Sequence, residues 1–257
     1  MRQAMTSETS TIFITGASAG IGEAIARRFA KQGECRLILA GRDQERLEKV
    51  RASLSVPAHI SCFDVCDAQA VKNALHDLPA EFANIDVLVN NAGGALGLER
   101  AQDYELADWN AMVDVNIKGF LNVAHAALPD MVKRNRGHIV NMGSIAATYA
   151  YVGGNVYGAT KAFVYQFSQN LRADLHGTNV RVTVIEPGLV ETGFFKHRFK
   201  GDEKRASALF ENIKALQPED IAEAAYWCAT LPPHVNINLI EVMPTCQAPA
   251  AIAIHRG

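Results

Sequence analysis

Tyr157 and Lys161 stand four residues apart in the run NVYGATKAF, residues 155–163. On a helix that spacing puts both on one face, phenol beside ammonium. A free phenol titrates near pH ~10 and moves protons poorly at neutral pH. A neighbouring ammonium favours phenolate and brings that value down. Gly158 and Ala159 leave space beside the pair. Ser144, 13 residues before Tyr157, offers a hydroxyl that could hold a substrate oxygen, as an oxyanion-hole donor does. The Asn116 amide could bind a water that connects the lysine to solvent. Such a set can pass a proton to or from a carbonyl oxygen. Reduction also needs a hydride, and only a bound cofactor can supply one.

The elements that hold these groups follow a strand–helix alternation. Strands are predicted at STIFITG, RLILAG, HISCFDV, IDVLVNN, GHIVNMG, VRVTVIEPG and INLIEV. Between them lie helical patterns: 19–33, 43–54, 67–78, 107–115, 119–134 and 156–176. That order predicts an α/β fold with a single dinucleotide-binding domain, a doubly wound Rossmann fold of seven parallel strands covered by helices on both faces. Tyr157 and Lys161 then fall on the last long helix, Ser144 just past strand five, and Asn116 between two helical stretches. Residues 191–216 break the alternation and are expected to form a flap over the carboxyl edge of the sheet, where such folds bind ligands.

The first strand-to-helix turn, TGASAGIG, carries Gly16, Gly20 and Gly22, with Ser18, Ala19 and Ile21 among them. Glycines there let the backbone approach a pyrophosphate at a helix N-terminus. The spacing is G-x3-G-x-G, not the G-x-G-x-x-G dinucleotide fingerprint. After strand two, Gly41 occupies the position where an acidic residue would bind the ribose 2′-hydroxyl of NAD. Arg42 follows it and could clamp the 2′-phosphate of NADP, with Ser18 donating a further hydrogen bond. Asp43 could neutralise Arg42 or cap the next helix. Asp64 and Val65 sit at the tip of strand three, where a carboxylate could accept from the adenine amino group.

Composition narrows the classes. The chain has 257 residues, 49% hydrophobic and 20% charged, with a net charge of −2. No nucleic-acid partner is expected from so neutral a balance. The uncharged stretch 139–160 contains Asn141, Ser144, Asn155 and several glycines, so it does not read as a membrane span. The N-terminus MRQAMTSETS lacks an apolar secretory core, which points to a cytoplasmic location. Cysteines 35, 62, 66, 228 and 246 are odd in number and form no C-x-x-C, so reduced, buried thiols and no metal site are expected.

Together TGASAGIG, NNAG at 90–93, Asn116, Ser144, YGATK at 157–161 and PGLVET at 187–192 resemble the short-chain dehydrogenase/reductase family across essentially the whole chain. The resemblance implies that Tyr157 is the acid/base, Ser144 orients the carbonyl, Lys161 lowers the tyrosine pKa and Asn116 anchors a proton relay. It also implies that Asn91, Ala92 and Gly93 close over the cofactor, and that Pro187, Gly188, Val190 and Thr192 contact nicotinamide and phosphate. Homotetramers are implied too. Further segments, among them GGNVYGATKAFVYQFSQNLRADLHGT and HVNINLIEVMPTCQ, are similar to bacterial NADP-dependent 3-hydroxy acid dehydrogenases acting on serine, allo-threonine or malonic semialdehyde. The first nine residues read as an extension to that match. A small anionic substrate fits the basic run FFKHRFKGDEKR, in which Arg198 is the candidate carboxylate ligand. Asn155 and Tyr151 could line the same cavity, whereas His138 and His197 read as structural. Two other readings stay open: a carbonyl reductase for neutral ketones, and an NADP(H)-binding regulator without turnover.

Overall fold

Seven runs of Ile, Val and Leu become the strands of one parallel sheet in the computed structural model, which describes residues 9–249. They are β1 (Ser10–Thr15), β2 (Cys35–Gly41), β3 (Ala58–Cys62), β4 (Ile85–Asn90), β5 (Gly137–Met142), β6 (Val180–Pro187) and β7 (Leu239–Val242). Their spatial order is β3-β2-β1-β4-β5-β6-β7, and every pairing is parallel. The chain winds one way from β1 to β3, then returns past β1 to begin β4. That reversal opens a crevice beyond the carboxyl ends of β1 and β4. This is the doubly wound Rossmann architecture expected from the sequence.

The helices are α1 (Gly20–Ala30), α2 (Gln44–Ala52), α3 (Ala68–His76), α4 (Leu106–Val113), α5 (Phe120–Lys133) and α6 (Asn155–Asp174). Three more follow β6: α7 (Phe194–Arg198), α8 (Glu203–Ala208) and α9 (Pro218–Ala229). Side chains alternate along each strand, so the sheet has two buried faces. Ile12, Ile14 and Leu39 meet Ile25 of α1 and Ile221 of α9 on one face. Phe13, Ile38 and Leu88 meet Val71 of α3, Met131 of α5 and Leu171 of α6 on the other. Truncating any of the large aliphatic groups to alanine should destabilise by about 2–5 kcal/mol.

Three boundaries differ from the expected ones, each for a local reason. The stretches 107–115 and 119–134 are not separate helices: a π turn, Asp114–Gly119, joins α4 to α5 and buries Asn116. Val65 presses against that turn, where a Cβ on Gly119 would lie 2.6 Å from its Cγ2. β3 stops at Cys62 because the Asp64 carboxylate accepts from the Cys66 N–H at 2.9 Å and turns the chain. β7 begins only at Leu239, since the Asn236 side chain accepts from the Val182 N–H at 2.8 Å in place of a backbone ladder.

The cysteine expectation holds only in part. All five are free thiols, but Cys62 and Cys66 are exposed and Cys246 is half-buried; only Cys35 and Cys228 are buried. Cys62 faces outward on an edge strand, where alternate positions meet solvent. Among the described residues no His/Cys/Asp/Glu group suits a metal, and no helix is long and apolar enough to cross a membrane. Of the expected N-terminal extension, residues 1–8 lie outside the described residues.

Candidate active site

The glycine turn builds one end of the cleft. Gly16 and Gly20 adopt φ of +66° and +55°, in the left-handed region open to glycine. Gly22 lies so close to the preceding turn that a Cβ would fall 2.2 Å from the Gly16 carbonyl oxygen. No side chain caps the start of α1, which leaves its first N–H groups for an anion. Thr192 faces this turn, with its Cγ2 3.5 Å from where a Gly20 Cβ would lie. An uncapped helix start and a cradle that any Cβ would fill suit a pyrophosphate. Thr15, which opens TGASAGIG but has no role assigned from the sequence, stitches the cradle to the NNAG turn. Its Oγ1 accepts from the N–H groups of Asn91 and Ala92, both at 2.9 Å. The Asn91 amide donates back to the Thr15 carbonyl at 2.9 Å.

Asp43 does not neutralise Arg42. It caps α2, accepting from the Arg46 N–H at 3.0 Å, and pairs with the Arg46 guanidinium at 3.2 Å. Arg42 instead faces Asp64 at 3.6 Å, with both side chains well exposed. Arg42 and Arg46 both line the cleft. Arg46 has no signal in the sequence, because Arg42 precedes the Asp43 cap and no helical spacing links the two. The Ser18 hydroxyl lies 3.7 Å from where a Gly41 Cβ would be, beside this basic corner. Asp64 and Val65 stand outside the cleft's lining, and the Val65 carbonyl accepts from Asn122 at 2.9 Å.

The cleft has a volume of about 460 Å³ and runs from the glycine turn past Gly93, Pro187, Gly188 and Val190 to Ser144, Tyr157 and Lys161. Tyr157 and Lys161 share a face of α6 as their spacing predicts, with Nζ 5.9 Å from the ring centroid. Ser144 is near enough to the phenol to favour its ionised form, and its Oγ accepts from the Ala146 N–H at 3.2 Å. Lys161 donates to the Met142 carbonyl at 2.8 Å. Burial pushes the Tyr157 phenol up to about 12; Tyr151 adds to this, while Ser144 and Arg198 oppose it. Burial pushes Lys161 down to about 8, against the pull of Glu186. The expected acidification of the phenol by Lys161 is therefore not visible in the protein alone. The ammonium is held by a carbonyl, and the nearest cationic influence on the ring is Arg198, whose guanidinium carbon lies 5.4 Å from its centroid.

Other nominees have different roles. The Asn116 amide has no hydrogen left for a water: it donates to Gly94 O at 2.8 Å and Thr160 Oγ1 at 3.1 Å. Its oxygen accepts from the Gly94 N–H at 2.9 Å. Asn116 thus ties Gly94, just after the NNAG turn, to α6. Asn155 is not in the cleft lining; its oxygen accepts from the Val156 N–H at 2.7 Å at the start of α6. Tyr151 and Arg198 do line the cleft. Buried Arg198 donates to Gly97 O at 2.7 Å, Tyr151 OH at 3.1 Å and Gly153 O at 3.4 Å. His138 is structural as expected, buried in the core against Thr183 at 2.7 Å. His197, also read as structural, lies on the cleft wall beside Gly94. Two lining residues had no chemical signal in the sequence. Phe194 packs on Tyr157 with ring centroids 5.7 Å apart, and Gln247 accepts from the Leu189 N–H at 2.8 Å.

Comparison with known proteins agrees with this geometry. The sequence profile of the short chain dehydrogenase family matches residues 10–203. NADP-dependent 3-hydroxy acid dehydrogenase YdfG of Escherichia coli (strain K12) is 53% identical over 246 residues, 95% of this chain and 99% of that protein. Sulfoacetaldehyde reductase 2 of Chromohalobacter salexigens is 50% identical over 248 residues, 95% of this chain and 98% of that protein. The closed form of serine dehydrogenase complexed with NADP+ superposes with a TM-score of 0.92 at 53% identity, covering 96% of this chain and all of that one. A Rossmann sheet, a glycine cradle and a Ser-Tyr-Lys set on one cleft, matched by relatives along nearly the whole chain, lead to one assignment: this chain belongs to the short-chain dehydrogenase family.

Proposed function

We propose that this chain is an NADP-dependent oxidoreductase that interconverts small 3-hydroxy acids with 3-oxo acids or semialdehydes. The observation that carries the reading is convergence. Tyr157, Ser144 and Lys161 open on the same cleft as the glycine cradle and the Arg42–Arg46 corner. The similarity to 3-hydroxy acid and serine dehydrogenases supports the substrate class.

NADP, when bound, supplies or accepts the hydride. Gly16, Ser18, Ala19, Gly20, Ile21 and Gly22 would hold its phosphates, with Thr192 opposite them. Arg42 and Arg46 would hold the 2′-phosphate. In reduction, Tyr157 gives its proton to the carbonyl oxygen while the Ser144 hydroxyl holds that oxygen. Lys161 can bond ribose hydroxyls and favours the phenolate that remains. In oxidation the proton returns from the alcohol to Tyr157. A serine-like substrate yields a 2-amino-3-oxo acid, which can lose carbon dioxide.

Arg198 is the cation nearest the reacting end, apart from Lys161, and no carboxylate pairs with it among the described residues. Its charge is therefore uncancelled in a buried wall, which draws the substrate carboxylate. A guanidinium has five N–H donors, and the contacts above leave at least one for a ligand. Residues 191–216 act as the substrate-covering flap, with α7 and α8 latched by Lys200–Asp108 at 2.7 Å and Arg205–Glu99 at 3.4 Å. Assembly into homotetramers, a cytoplasmic location and the absence of a nucleic-acid partner complete the reading.

The test follows NADPH absorbance with malonic semialdehyde and, separately, with a neutral ketone of similar size. Turnover of the acid that falls on Arg198→Ala supports the reading. Preference for the ketone would make this a general carbonyl reductase, and NADPH binding without turnover of either would make it a regulator.

A further inference from the structure

Glu186, next to last in β6, has a fully buried side chain. Neither carboxylate oxygen has a hydrogen-bond partner among the described residues. Buried carboxylates are normally paired, so an orphan one needs a reason. Glu186 lies over Gly143, where a Cβ would come within 2.9 Å of the Glu186 Cγ. Gly143 separates Met142, whose carbonyl holds the Lys161 ammonium, from Ser144. The Glu186 side chain thus lies against the Met142–Ser144 backbone, which carries both the Lys161 acceptor and Ser144.

Three titratable groups face it. Lys161 projects from α6 and interacts with it electrostatically. Glu241 is its register neighbour on β7, so the two side chains share one face of the sheet. Tyr149, in the loop after β5, donates to Glu241 at 3.2 Å and feels the charge of Glu186. Glu186 therefore sits between a buried cation and a second carboxylate. Opposite charge favours its ionised form; burial and Glu241 oppose it.

We infer that Glu186 is a positioning residue that keeps Lys161 in its ammonium form, with exposed Glu241 setting how readily Glu186 ionises. The inference deepens the proposed function and rests on Tyr157 and Lys161 being the acid/base pair. No atom of Glu186 needs to touch substrate or cofactor. Its ionised carboxylate stabilises the lysine charge through a poorly screened interior, and the lysine in turn favours phenolate at Tyr157. Burial pushes Glu186 up to about 7, so its charge is present only toward the alkaline side of neutrality. Lys161, pushed down to about 8 by burial, already has the Glu186 charge in its favour, and without that charge it would lose its proton at lower pH.

The test compares Glu186→Gln, Glu186→Asp and Glu241→Gln by two readouts. One is the pH profile of kcat for NADPH-dependent reduction. The other is the pH dependence of Tm in cofactor-free protein, which does not depend on any activity. For Glu186→Gln the alkaline limb of kcat should move down by about one pH unit, roughly a tenfold loss on that limb. Glu186→Asp should restore most of it. Glu241→Gln should move the limb the other way or leave it, and should shift the fall of Tm to lower pH. An unmoved alkaline limb in Glu186→Gln, alongside a changed Tm profile, would overturn the inference and leave the proposed function standing. Should Glu186→Gln fail to fold, an unchanged Tm profile in Glu241→Gln would overturn it instead. Failure of the proposed function itself would show as wild-type turnover in Tyr157→Phe, a separate result.

Discussion

Replacing Arg42 by alanine isolates the choice between NADP and NAD. In the protein alone the Arg42 side chain meets only Asp64 among the described residues, at 3.6 Å and with about three-quarters of its side chain exposed. An exposed pair of that length contributes about 0–1 kcal/mol. A charge-assisted bond to a 2′-phosphate contributes about 1.5–3 kcal/mol, and the guanidinium can make two in a fork. Giving up Asp64 offsets little of that gain. Arg42→Ala should therefore raise the Kd for NADPH by about 10–100-fold, at about 1.4 kcal/mol per tenfold. NADH lacks the phosphate, so its Kd should change less than about threefold. Arg46→Ala should show the same selectivity at smaller amplitude, because Asp43 already holds that guanidinium at 3.2 Å. Quenching of NADPH and NADH fluorescence on binding gives both constants for each variant. Equal weakening of the two nucleotides by Arg42→Ala would refute the assignment of this corner to the 2′-phosphate.

Gly22→Ala should abolish nucleotide binding or folding, since its Cβ would fall 2.2 Å from a backbone oxygen that cannot retreat; a variant that binds NADPH normally would contradict the cradle. Asn116→Ala removes three hydrogen bonds, two to Gly94 just after the NNAG turn and one to Thr160 of α6, and Tm at neutral pH should fall by an amount matching about 2–4 kcal/mol. Glu186 also predicts a pH dependence of stability. Its native pKa is raised from 4.5 to about 7, so its stabilising contribution is full below about 4.5 and lost as pH rises through about 7. Glu186→Gln keeps the neutral form, so it should match wild type in Tm at acid pH. At mildly alkaline pH it should be more stable by about 1–3 kcal/mol, with equal Tm curves at all pH values as the contrary result.

Much of the fold was legible because its signals are local. Apolar runs bounded by glycine gave the strands, and their alternation with helices gave a parallel sheet. The glycine turn, Arg42, Ser144, Tyr157 and Lys161 were legible because each sits at a fixed offset from a strand end or on one helix face. What escaped depends on contacts between segments far apart in sequence. The π turn at Asn116 reflects Val65 pressing on Gly119, across about fifty residues. Thr15 looks like an ordinary strand end until the NNAG turn is brought against it. Nearness to Tyr157 points to Asn155, but a helix start claims its side chain. Asp43 looks like a rival of Arg42 in the sequence, but the cap of α2 claims it. Glu186 gave no signal at all, because a glutamate at a strand end usually faces water, and only the register with β7 and the closeness of Gly143 bury it.

The central claim is that the Tyr157 phenol exchanges a proton with the substrate oxygen beside bound NADPH. Tyr157→Phe keeps the ring that packs on Phe194 and removes only the hydroxyl. NADPH-dependent reduction of malonic semialdehyde should then fall by at least ~100-fold while NADPH binds as in wild type. Turnover within a few-fold of wild type, measured with NADPH saturating, would contradict the account.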